Sequence, residues 1–338
     1  MKIVNRKYIL SIDGGGIRGI IPLCALIKLE QETGKPAREI FSFLAGTSTG
    51  AVISAALAVG IPAQQVLYLY LKRAPEIFPQ RPWNILKRLI LGWTYSTDKL
   101  NEIVREELGE KRDTTLNEIP VDILIPSKRV ADGMPIYFVR DHKKNSCRCG
   151  RLRLSDCVIA SSAVPTYFYP WIIKAALDSP TQAVTMEFVD GGVGVAGNPV
   201  YYTCVEAFYY HDEYQPDKTT VVSLGTGRFP KMQVPRTFPA LITWILEELL
   251  SSPGEQQTEL VRRHFPQTRF YRLDPDLSFF DPTLTGNIGL DDIGSIPRLV
   301  EYGKKFAELV DWEKILKGKD KTFLITDQKT MWYQYKQP

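Results

Sequence analysis

The sequence predicts an α/β protein with a mostly parallel central sheet that helices cover on both faces. Apolar runs of strand length alternate with helical patterns, and two of these runs end in glycine-rich turns that open helices. The 338 residues are 44% hydrophobic, which is ample for a core, and no repeat, low-complexity run or linker divides them. We expect one domain over residues 7–310, with a motif-bearing core at 7–230, an extension at 231–310 packed on it, and a tail at 311–338.

The first glycine turn follows the strand-like run Tyr8–Ile12 and precedes a helix that we expect over about Ile20–Thr33. The turn reads Asp13-Gly14-Gly15-Gly16-Ile17-Arg18-Gly19. Its glycines satisfy G-x-G-x-x-G, which is also the pattern of Rossmann-like nucleotide-binding proteins. Those proteins need an acidic residue at the end of the second strand, where this chain has Ala45-Gly46-Thr47-Ser48. A nicotinamide- or flavin-binding protein is therefore the disfavoured alternative, because successive glycine amides better suit a single anionic point.

The second glycine turn carries a serine in the pattern of a nucleophile. It reads Gly46-Thr47-Ser48-Thr49-Gly50, after the apolar run Ile40–Ala45 and before a short apolar helix that we expect over Ala51–Val59. A G-x-S-x-G sequence between a strand and a helix is typical of a nucleophile elbow, in which a strained turn exposes the serine Oγ. The two turns together predict acyl-transfer chemistry, with Ser48 as the nucleophile and amides of the first turn facing the oxyanion.

These two turns resemble those of the patatin-like phospholipases, a family of lipid acyl hydrolases that use a Ser–Asp dyad in place of a triad. Further segments resemble other landmarks of that family and occur in the same order. They are Ala160–Phe168, Met186–Gly192, Asn198–Pro199 and Val221–Gly227. The resemblance covers about residues 7 to 230, and more faintly continues to about residue 310. It implies a patatin-like three-layer α/β/α fold.

The resemblance also implies roles for particular residues. Ser48 is the nucleophile, and the aspartate of the Asp190-Gly191-Gly192 turn is the base that accepts its proton. The oxyanion hole is assigned to the loop residues Gly14, Gly15, Gly16, Ile17, Arg18 and Gly19. The amides around Gly15, Gly16 and Ile17 bind the oxyanion, and Arg18 orients or charges the loop. A carboxylate near its reference pKa of ~3.9 is a weak base at neutral pH, so we expect a dry, apolar pocket to compensate.

The histidines leave a second catalytic arrangement open. The chain has three, namely His142, His211 and His264, and each lies in a polar segment where we expect a solvated surface side chain. His211 and His264 follow Ser48 and Asp190 in the chain order of an α/β-hydrolase triad, so a histidine-containing esterase remains an alternative. Asp13 is expected to brace the first glycine turn rather than to act as a base.

Composition limits the partners and cofactors that we expect. The formal net charge of +4 is too mild for a nucleic-acid footprint. We expect no signal peptide and no transmembrane segment, and five cysteines fit a reducing compartment, which together predict a cytoplasmic protein. Cys147-Arg148-Cys149 and the nearby Cys157 lack a second Cys/His pair at ligand spacing. We therefore expect neither a metal nor another cofactor.

The segment Arg81–Trp93 lies outside the shared motifs and is amphipathic. Helical spacing places apolar side chains on one face and polar ones on the others, with tryptophans at both ends. The apolar face comprises Leu86, Leu89, Ile90 and Trp93, and the other faces carry Asn84, Lys87 and Arg88. Such a helix suits a membrane interface, or a cap that packs its apolar face on the catalytic core. The sequence leaves both interpretations open.

The sequence as a whole predicts a metal-independent serine lipid acyl hydrolase, most simply a phospholipase A that acts at the inner face of the membrane as a peripheral protein. The alternatives are a Rossmann-like nucleotide-binding protein, a histidine-containing esterase and a non-catalytic scaffold. Some bacterial members of the resembled family are effectors that a cyclic nucleotide switches on to degrade membranes. The sequence permits that activator for this chain but contains no residue that identifies it.

Overall fold

The computed structural model of the chain describes residues 6–144, 148–175, 184–194, 196–229, 253–284 and 286–317, together with residues 234, 236, 237, 241, 244 and 245. Cys147 and residues 318–338 of the expected tail lie outside the described residues, as does most of the segment 230–252.

Eight strands form one sheet in this part of the chain. They are β1 (Lys7–Ile12), β2 (Phe43–Gly46), β3 (Asp122–Arg129), β4 (Pro135–Val139), β5 (Trp171–Ala175), β6 (Val184–Asp190), β7 (Thr219–Leu224) and β8 (Arg269–Leu273). Hydrogen bonds link the strands in the path β5-β6-β3-β2-β1-β7-β8, and β4 pairs with β3 outside this path. The five strands β3, β2, β1, β7 and β8 are parallel, whereas every pairing that involves β4, β5 or β6 is antiparallel. The prediction of a mostly parallel sheet is confirmed.

Helices cover both faces of this sheet. They are α1 (Ile20–Thr33), α2 (Ala37–Ile40), α3 (Thr49–Val59), α4 (Ala63–Ile77), α5 (Asn84–Leu91), α6 (Thr97–Leu108), α7 (Leu154–Ser162), α8 (Val200–Val205), α9 (Pro253–His264), α10 (Leu277–Phe280), α11 (Ile296–Leu309) and α12 (Trp312–Lys317). Side chains alternate between the faces of a strand, so Leu10 and Leu44 pack with α1, α3 and α7, while Ile9 and Phe43 pack with α8 and α9. This is the predicted three-layer α/β/α arrangement.

The two helices that follow the glycine turns begin and end close to the predicted residues. Helix α1 spans Ile20–Thr33 and ends at Gly34, whose φ of 64° is in the left-handed region where glycine avoids the penalty of a side chain. Helix α3 starts at Thr49, two residues earlier than expected, because Ser48 in the turn is already its N-cap residue. No helix among the described residues is both long enough and apolar enough to cross a bilayer.

The C-terminal boundary of the packed core lies later than the sequence indicates. Helix α12 falls inside the expected tail, yet Trp312 is 1% exposed and its indole Nε1 donates to Ala25 O at 2.8 Å. The Tyr8 hydroxyl donates to Leu316 O at 2.6 Å, which ties the same helix to the first strand. The expected boundary at residue 310 is therefore too early, because an apolar face of α12 completes the core beside α1.

Helix α5 presents its apolar face to solvent. Leu89 and Ile90 are 74% and 70% exposed, and Leu86 is also exposed. The cationic side chains face the protein instead: Lys87 Nζ donates to Thr94 O at 2.7 Å, and Arg88 Nε donates to Thr94 Oγ1 at 2.8 Å. The interpretation of this helix as a cap that buries its apolar face on the core is therefore wrong, because the contacts that hold the helix come from its polar face.

Candidate active site

Ser48 lies in the turn between β2 and α3, where its backbone has φ 55° and ψ −119°. A positive φ is uncommon for a residue with a side chain and costs about 1–3 kcal/mol, so it persists only where the surroundings enforce it. Here the backbone approaches itself closely, because a Cβ on Gly46 would lie 2.0 Å from Gly50 O and a Cβ on Gly50 would lie 2.2 Å from Ile12 O. The turn has the strand–turn–helix geometry of a nucleophile elbow.

The elbow is tied to three other segments of the chain. The amide of Ser48 donates to the Ser161 Oγ of α7 at 3.0 Å. The Thr47 hydroxyl donates to Ala196 O, just after the Asp190 turn. The hydroxyl of Thr49 bonds that of Tyr70 on α4. These bonds fix the strained turn from three directions and leave the Ser48 side chain 7% exposed.

The topology of β3 brings Asp190 to this elbow. Leu124 of β3 pairs with both β2 and β4, and Ser127 pairs with both β4 and β6. Since a strand has only two edges, β4 occupies one edge of β3, and β2 and β6 share the other. β2 and β6 run in opposite directions along that edge, so their carboxyl ends meet. Asp190, the last residue of β6, therefore lies beside the turn that follows β2.

The Asp190 side chain is fully buried and has little to stabilise its charge. Its Oδ1 accepts the amide of Gly192 at 2.7 Å, whereas Oδ2 is buried without a hydrogen-bond partner of ordinary geometry. Burial raises the pKa of Asp190 to about 7, although the Gly192 amide and the nearby Ser48 hydroxyl both lower it. A carboxyl group of this pKa is a much better proton acceptor near neutral pH than a solvated aspartate. The expected weakness of the base is thus offset by burial.

Two side chains orient the amides of the glycine loop. The Thr226 hydroxyl donates to Gly14 O at 2.9 Å, and Arg18 Nε donates to Gly15 O at 3.1 Å. The C=O and N–H of one planar trans peptide point in opposite directions. Holding these two carbonyls on one side therefore aims the amides of Gly15 and Gly16 the other way. Neither amide has a backbone acceptor among the described residues outside the helix that they open.

The oxyanion-hole expectation needs one correction. The amide of Ile17 donates to Leu290 O at 3.0 Å, and that of Gly14 donates to Gly197 O at 2.9 Å. Both are therefore engaged in holding the loop to distant segments. Of the three amides expected to bind an oxyanion, those of Gly15 and Gly16 have no such backbone acceptor among the described residues. Gly16 also has a φ of 57°, and a Cβ there would lie 2.3 Å from Leu290 O, so no other residue fits without displacement.

A buried group of three charges supports the glycine loop from behind. Arg272 of β8 binds Asp13 through two hydrogen bonds of 2.8 and 2.6 Å, and its Nη2 also donates to Asp274 at 3.0 Å. Burial lowers the pKa of Arg272, but the two carboxylates outweigh burial and leave that pKa above its usual value. Asp13 therefore braces the loop, and the residue through which it does so, Arg272, lies outside every sequence motif.

Two cavities meet at Ser48. The smaller, of about 10 Å³, is lined by the glycine loop, Ser48, Asp190 and Gly192, and it has room for roughly one water-sized group. The larger, of about 130 Å³, is lined mainly by apolar side chains of α3, α4, α6 and α7, among them Val52, Leu69 and Val104. Both cavities share Gly16, Ser48, Val164 and Leu290 as lining residues. The arrangement places a serine hydroxyl, a buried carboxyl group and two aimed amides at the mouth of an apolar cavity.

The histidines lie elsewhere, and none of the three lines either cavity. His264 is exposed and its Nδ1 bonds the Tyr201 hydroxyl at 2.8 Å. His142 and His211 are not solvated as expected, because their side chains are only 19% and 12% exposed beside Glu206. The sequence could not identify Thr226 and Arg272 as supports of the site, since each contacts the loop from more than 200 residues away. The only signal was the glycine-flanked position of Thr226 in Val221–Gly227.

Comparisons with known proteins agree with this geometry. The chain is 31% identical over 212 residues to a cGAMP-activated phospholipase of Escherichia coli (strain TW11681), an alignment that covers 60% of this chain and 56% of that protein. It is 36% identical over 255 residues to patatin-like protein 2 of Oryza sativa subsp. indica, covering 66% of this chain and 62% of that protein. It is 29% identical over 347 residues to patatin-like protein 2 of Arabidopsis thaliana, covering 90% and 83%. The chain thus spans little more than half the length of the first two relatives.

The family model for patatin-like phospholipases matches residues 10–203, from β1 through the elbow and the Asp190 turn to α8, and the chain therefore belongs to the patatin-like phospholipase family.

Proposed function

We propose that the protein is a phospholipase A that cleaves acyl esters of membrane phospholipids through an acyl-enzyme on Ser48. The observation that carries this proposal is the position of Ser48, which lies on a strained elbow between a fully buried aspartate and two oriented glycine amides. The apolar cavity that starts at the same serine supports an acyl chain as the bound group. Family membership supports the lipid ester as the substrate class.

In the first half-reaction, the Asp190 carboxylate takes the proton of Ser48 Oγ while Oγ attacks the acyl carbonyl carbon. The carbonyl oxygen becomes an oxyanion, which accepts hydrogen bonds from the amides of Gly15 and Gly16. The C–O bond to the leaving alcohol then breaks, and Asp190 gives its proton to that oxygen. Lysophospholipid departs and the acyl group stays on Ser48.

In the second half-reaction, a water molecule attacks the acyl carbon and gives one proton to Asp190. The same two amides hold the second oxyanion. When the bond to Ser48 Oγ breaks, Asp190 returns the proton to Oγ and the fatty acid leaves. The carboxyl group thus accepts and returns one proton in each half, for which a pKa near 7 is well matched.

We also propose that helix α5 touches the phospholipid surface. Its exposed leucines and isoleucine offer an apolar face, and its cations bond the protein rather than solvent. The helix is joined to the wall of the large cavity, because the amides of Thr94 and Tyr95 donate to Tyr167 O at 3.1 and 2.7 Å. Tyr167 lines that cavity, and Arg88 lies 4.9 Å from the centre of its ring. These contacts support the proposal that the apolar helix lies beside the route by which a lipid chain enters the cavity.

A fluorophosphonate probe tests the proposed chemistry directly, because it reacts with activated serine hydroxyls. We expect one label on the wild type in the peptide that contains Ser48, no label on Ser48→Ala, and a strongly reduced labelling rate for Asp190→Asn. His264→Gln is the matched control and should label like the wild type. Labelling of another serine would contradict the assignment of Ser48 as the nucleophile. No label at all, together with no release of fatty acid from phospholipid vesicles, would contradict the proposal and favour a non-catalytic scaffold.

Regulation by a cyclic nucleotide is a separate part of the proposal. It rests on the name of the Escherichia coli relative, which is described as activated by cGAMP. Fatty-acid release with and without added cGAMP measures it, and we expect a rise in turnover. An unchanged rate would remove the activator and leave the proposed hydrolysis intact.

A further inference from the structure

A second cluster of reactive side chains lies at the end of the sheet where the parallel strands β2 and β3 begin. His142 Nε2 is 2.9 Å from Glu206 Oε1, and His211 Nε2 is 3.6 Å from the same oxygen. One potential ligand atom from each of the three residues lies within 4.8 Å of the others. The imidazole rings of the two histidines are 4.1 Å apart. The Ser48 chemistry uses none of these groups.

A widened helical turn brings the cluster together. Residues Glu206–Tyr210 form a π turn, and His211 follows it directly. In an α-helix, residues five apart point about 140° away from each other, at 3.6 residues per turn. A π turn instead bonds residues five apart, and His211, which leaves it in an extended conformation, brings its Nε2 to 3.6 Å from the Glu206 carboxylate. Single π turns occur often at functional sites, so this one is an independent sign that the cluster is built for a purpose.

The donor set matches a transition metal. Two imidazole nitrogens and a carboxylate oxygen, with one position left open, are a common ligand set for Zn²⁺. Bonds of 2.0–2.1 Å to a tetrahedral ion place neighbouring ligand atoms ~3.4 Å apart, close to the 2.9 and 3.6 Å found here.

A second carboxylate lies beside His211, on the side away from Glu206. Asp122, the first residue of β3, has Oδ2 3.7 Å from His211 Nδ1 and accepts the Tyr214 hydroxyl at 2.8 Å. An acceptor beside Nδ1 favours the tautomer that keeps its proton there and leaves the Nε2 lone pair toward the cluster. A carboxylate on the far side of a metal-binding histidine is a usual part of such sites.

We propose that His142, Glu206 and His211 bind a divalent transition ion, with Zn²⁺ as the best fit. Asp122 is a positioning residue that acts through His211. The site lies at the opposite edge of the sheet from Ser48, so the ion ties the loop after β4 to the turn after α8 and stabilises the fold. It takes no part in hydrolysis. Chelation should therefore lower the melting temperature and leave ester turnover unchanged.

Cobalt(II) tests the site, because its visible absorption reports the coordination geometry and a thiolate ligand adds a near-ultraviolet band. Titration of the metal-free protein with Co²⁺ should show one bound equivalent with a tetrahedral spectrum and no thiolate band. Zn²⁺ should displace it and raise the melting temperature by a few degrees. His142→Gln and His211→Gln should each weaken binding at least tenfold. His264→Gln is the matched control, since its histidine is exposed and bonds Tyr201.

Glu206→Gln protects the test against variants that fail to fold, since it keeps both histidines and the shape of the third ligand. Its metal-free circular dichroism should match the wild type while its affinity for Co²⁺ falls at least tenfold. Asp122→Asn should give a smaller loss with the same spectrum. Absence of binding by the wild type at millimolar Co²⁺, a thiolate band, or tight binding that survives in His211→Gln and Glu206→Gln would each overturn the proposal and leave a metal-free His–Glu–His network.

Discussion

Two acidic side chains lie at opposite ends of one sheet, one fully and one largely buried, and their surroundings shift their pKa values in opposite directions. Asp190 meets the Gly192 amide and the Ser48 hydroxyl, and burial raises its pKa to about 7. Burial also raises the pKa of Glu206, which is largely buried, yet two histidines hold that pKa below the usual value. The difference shows that burial alone does not determine the role of a carboxyl group. A base must be able to take up a proton, whereas a ligand or ion-pair partner must keep its charge.

The sharpest test of this contrast compares matching amide substitutions. Asp190→Asn should lower kcat/KM for a phospholipid ester by at least ~10³-fold, about 4 kcal/mol of transition-state stabilisation, because no proton acceptor remains. Glu206→Gln should leave it within about twofold of the wild type. Fatty-acid release measures both. Substantial activity in Asp190→Asn together with loss in His211→Gln or His264→Gln would mean a histidine triad.

The same contrast predicts a pH dependence of stability. An aspartate whose pKa rises from 3.8 in the unfolded chain to about 7 in the fold binds a proton more tightly when folded. Its contribution to the free energy of unfolding is therefore full below about pH 4, falls as pH rises towards 7, and is flat above. Over this pH range the contribution of Asp190 to the free energy of unfolding falls by at most about 4 kcal/mol. Relative to the wild type, Asp190→Asn should gain stability between about pH 5 and pH 8 in urea unfolding. A stability difference between Asp190→Asn and the wild type that is the same at about pH 5 and pH 8 would contradict a raised pKa of Asp190.

The orientation of the glycine amides is the next largest effect that we expect. Thr226→Val removes the hydroxyl that holds Gly14 O but keeps the shape of the side chain. It should lower kcat by ~10–100-fold with KM little changed, since a fully removed oxyanion donor costs ~10²–10³-fold. Thr226→Ser retains the hydroxyl and should stay near the wild type. A fall of both variants by the same factor would show that packing, and not the hydrogen bond, is responsible.

The smallest effect concerns the exposed apolar helix on the active-site side. Leu89→Glu combined with Ile90→Glu should weaken binding to anionic phospholipid vesicles by about tenfold, because two apolar contacts with lipid become charged. Hydrolysis of a short-chain ester dissolved in buffer should not change. Tyr209→Glu, an exposed apolar position at the opposite edge, is the matched control. Equal losses on both substrates with a lowered melting temperature would mean that the helix is buried in solution.

Most of the features that could be predicted from the sequence depend on local patterns. The elbow, the glycine loop and the helices after them depend on residues within a few positions, where glycine spacing and apolar periodicity are informative. The amphipathic segment was recognised for the same reason. Periodicity could not say which face points outward, because that depends on where Lys87 and Arg88 find acceptors, and Thr94 supplies them.

Long-range contacts carried the unpredictable part. The amide of Ile17 is occupied by Leu290, and Asp13 is held by Arg272, each more than 250 residues away along the chain. The histidine–glutamate cluster joins positions 142, 206 and 211 through a π turn that no periodicity indicates. Such partners become neighbours only when the sheet order is known.

The register of β2 and β6 along their shared edge of β3 sets how far apart the ends of these two strands lie. β2 and β6 approach along it from opposite ends, so the gap between Ala45, the last residue of β2 that pairs with β3, and Asp190 equals the stretch of β3 from Leu124 to Ser127. A change in the length of a connecting loop leaves this gap untouched. One residue gained or lost inside the stretch moves the base by ~3.3 Å and turns alternate side chains to the other face. The spacing between the end of β2 and Asp190, and with it that of the proposed nucleophile and base, is thus a property of hydrogen-bond register, and we expect insertions in this family to avoid those few positions while they accumulate elsewhere.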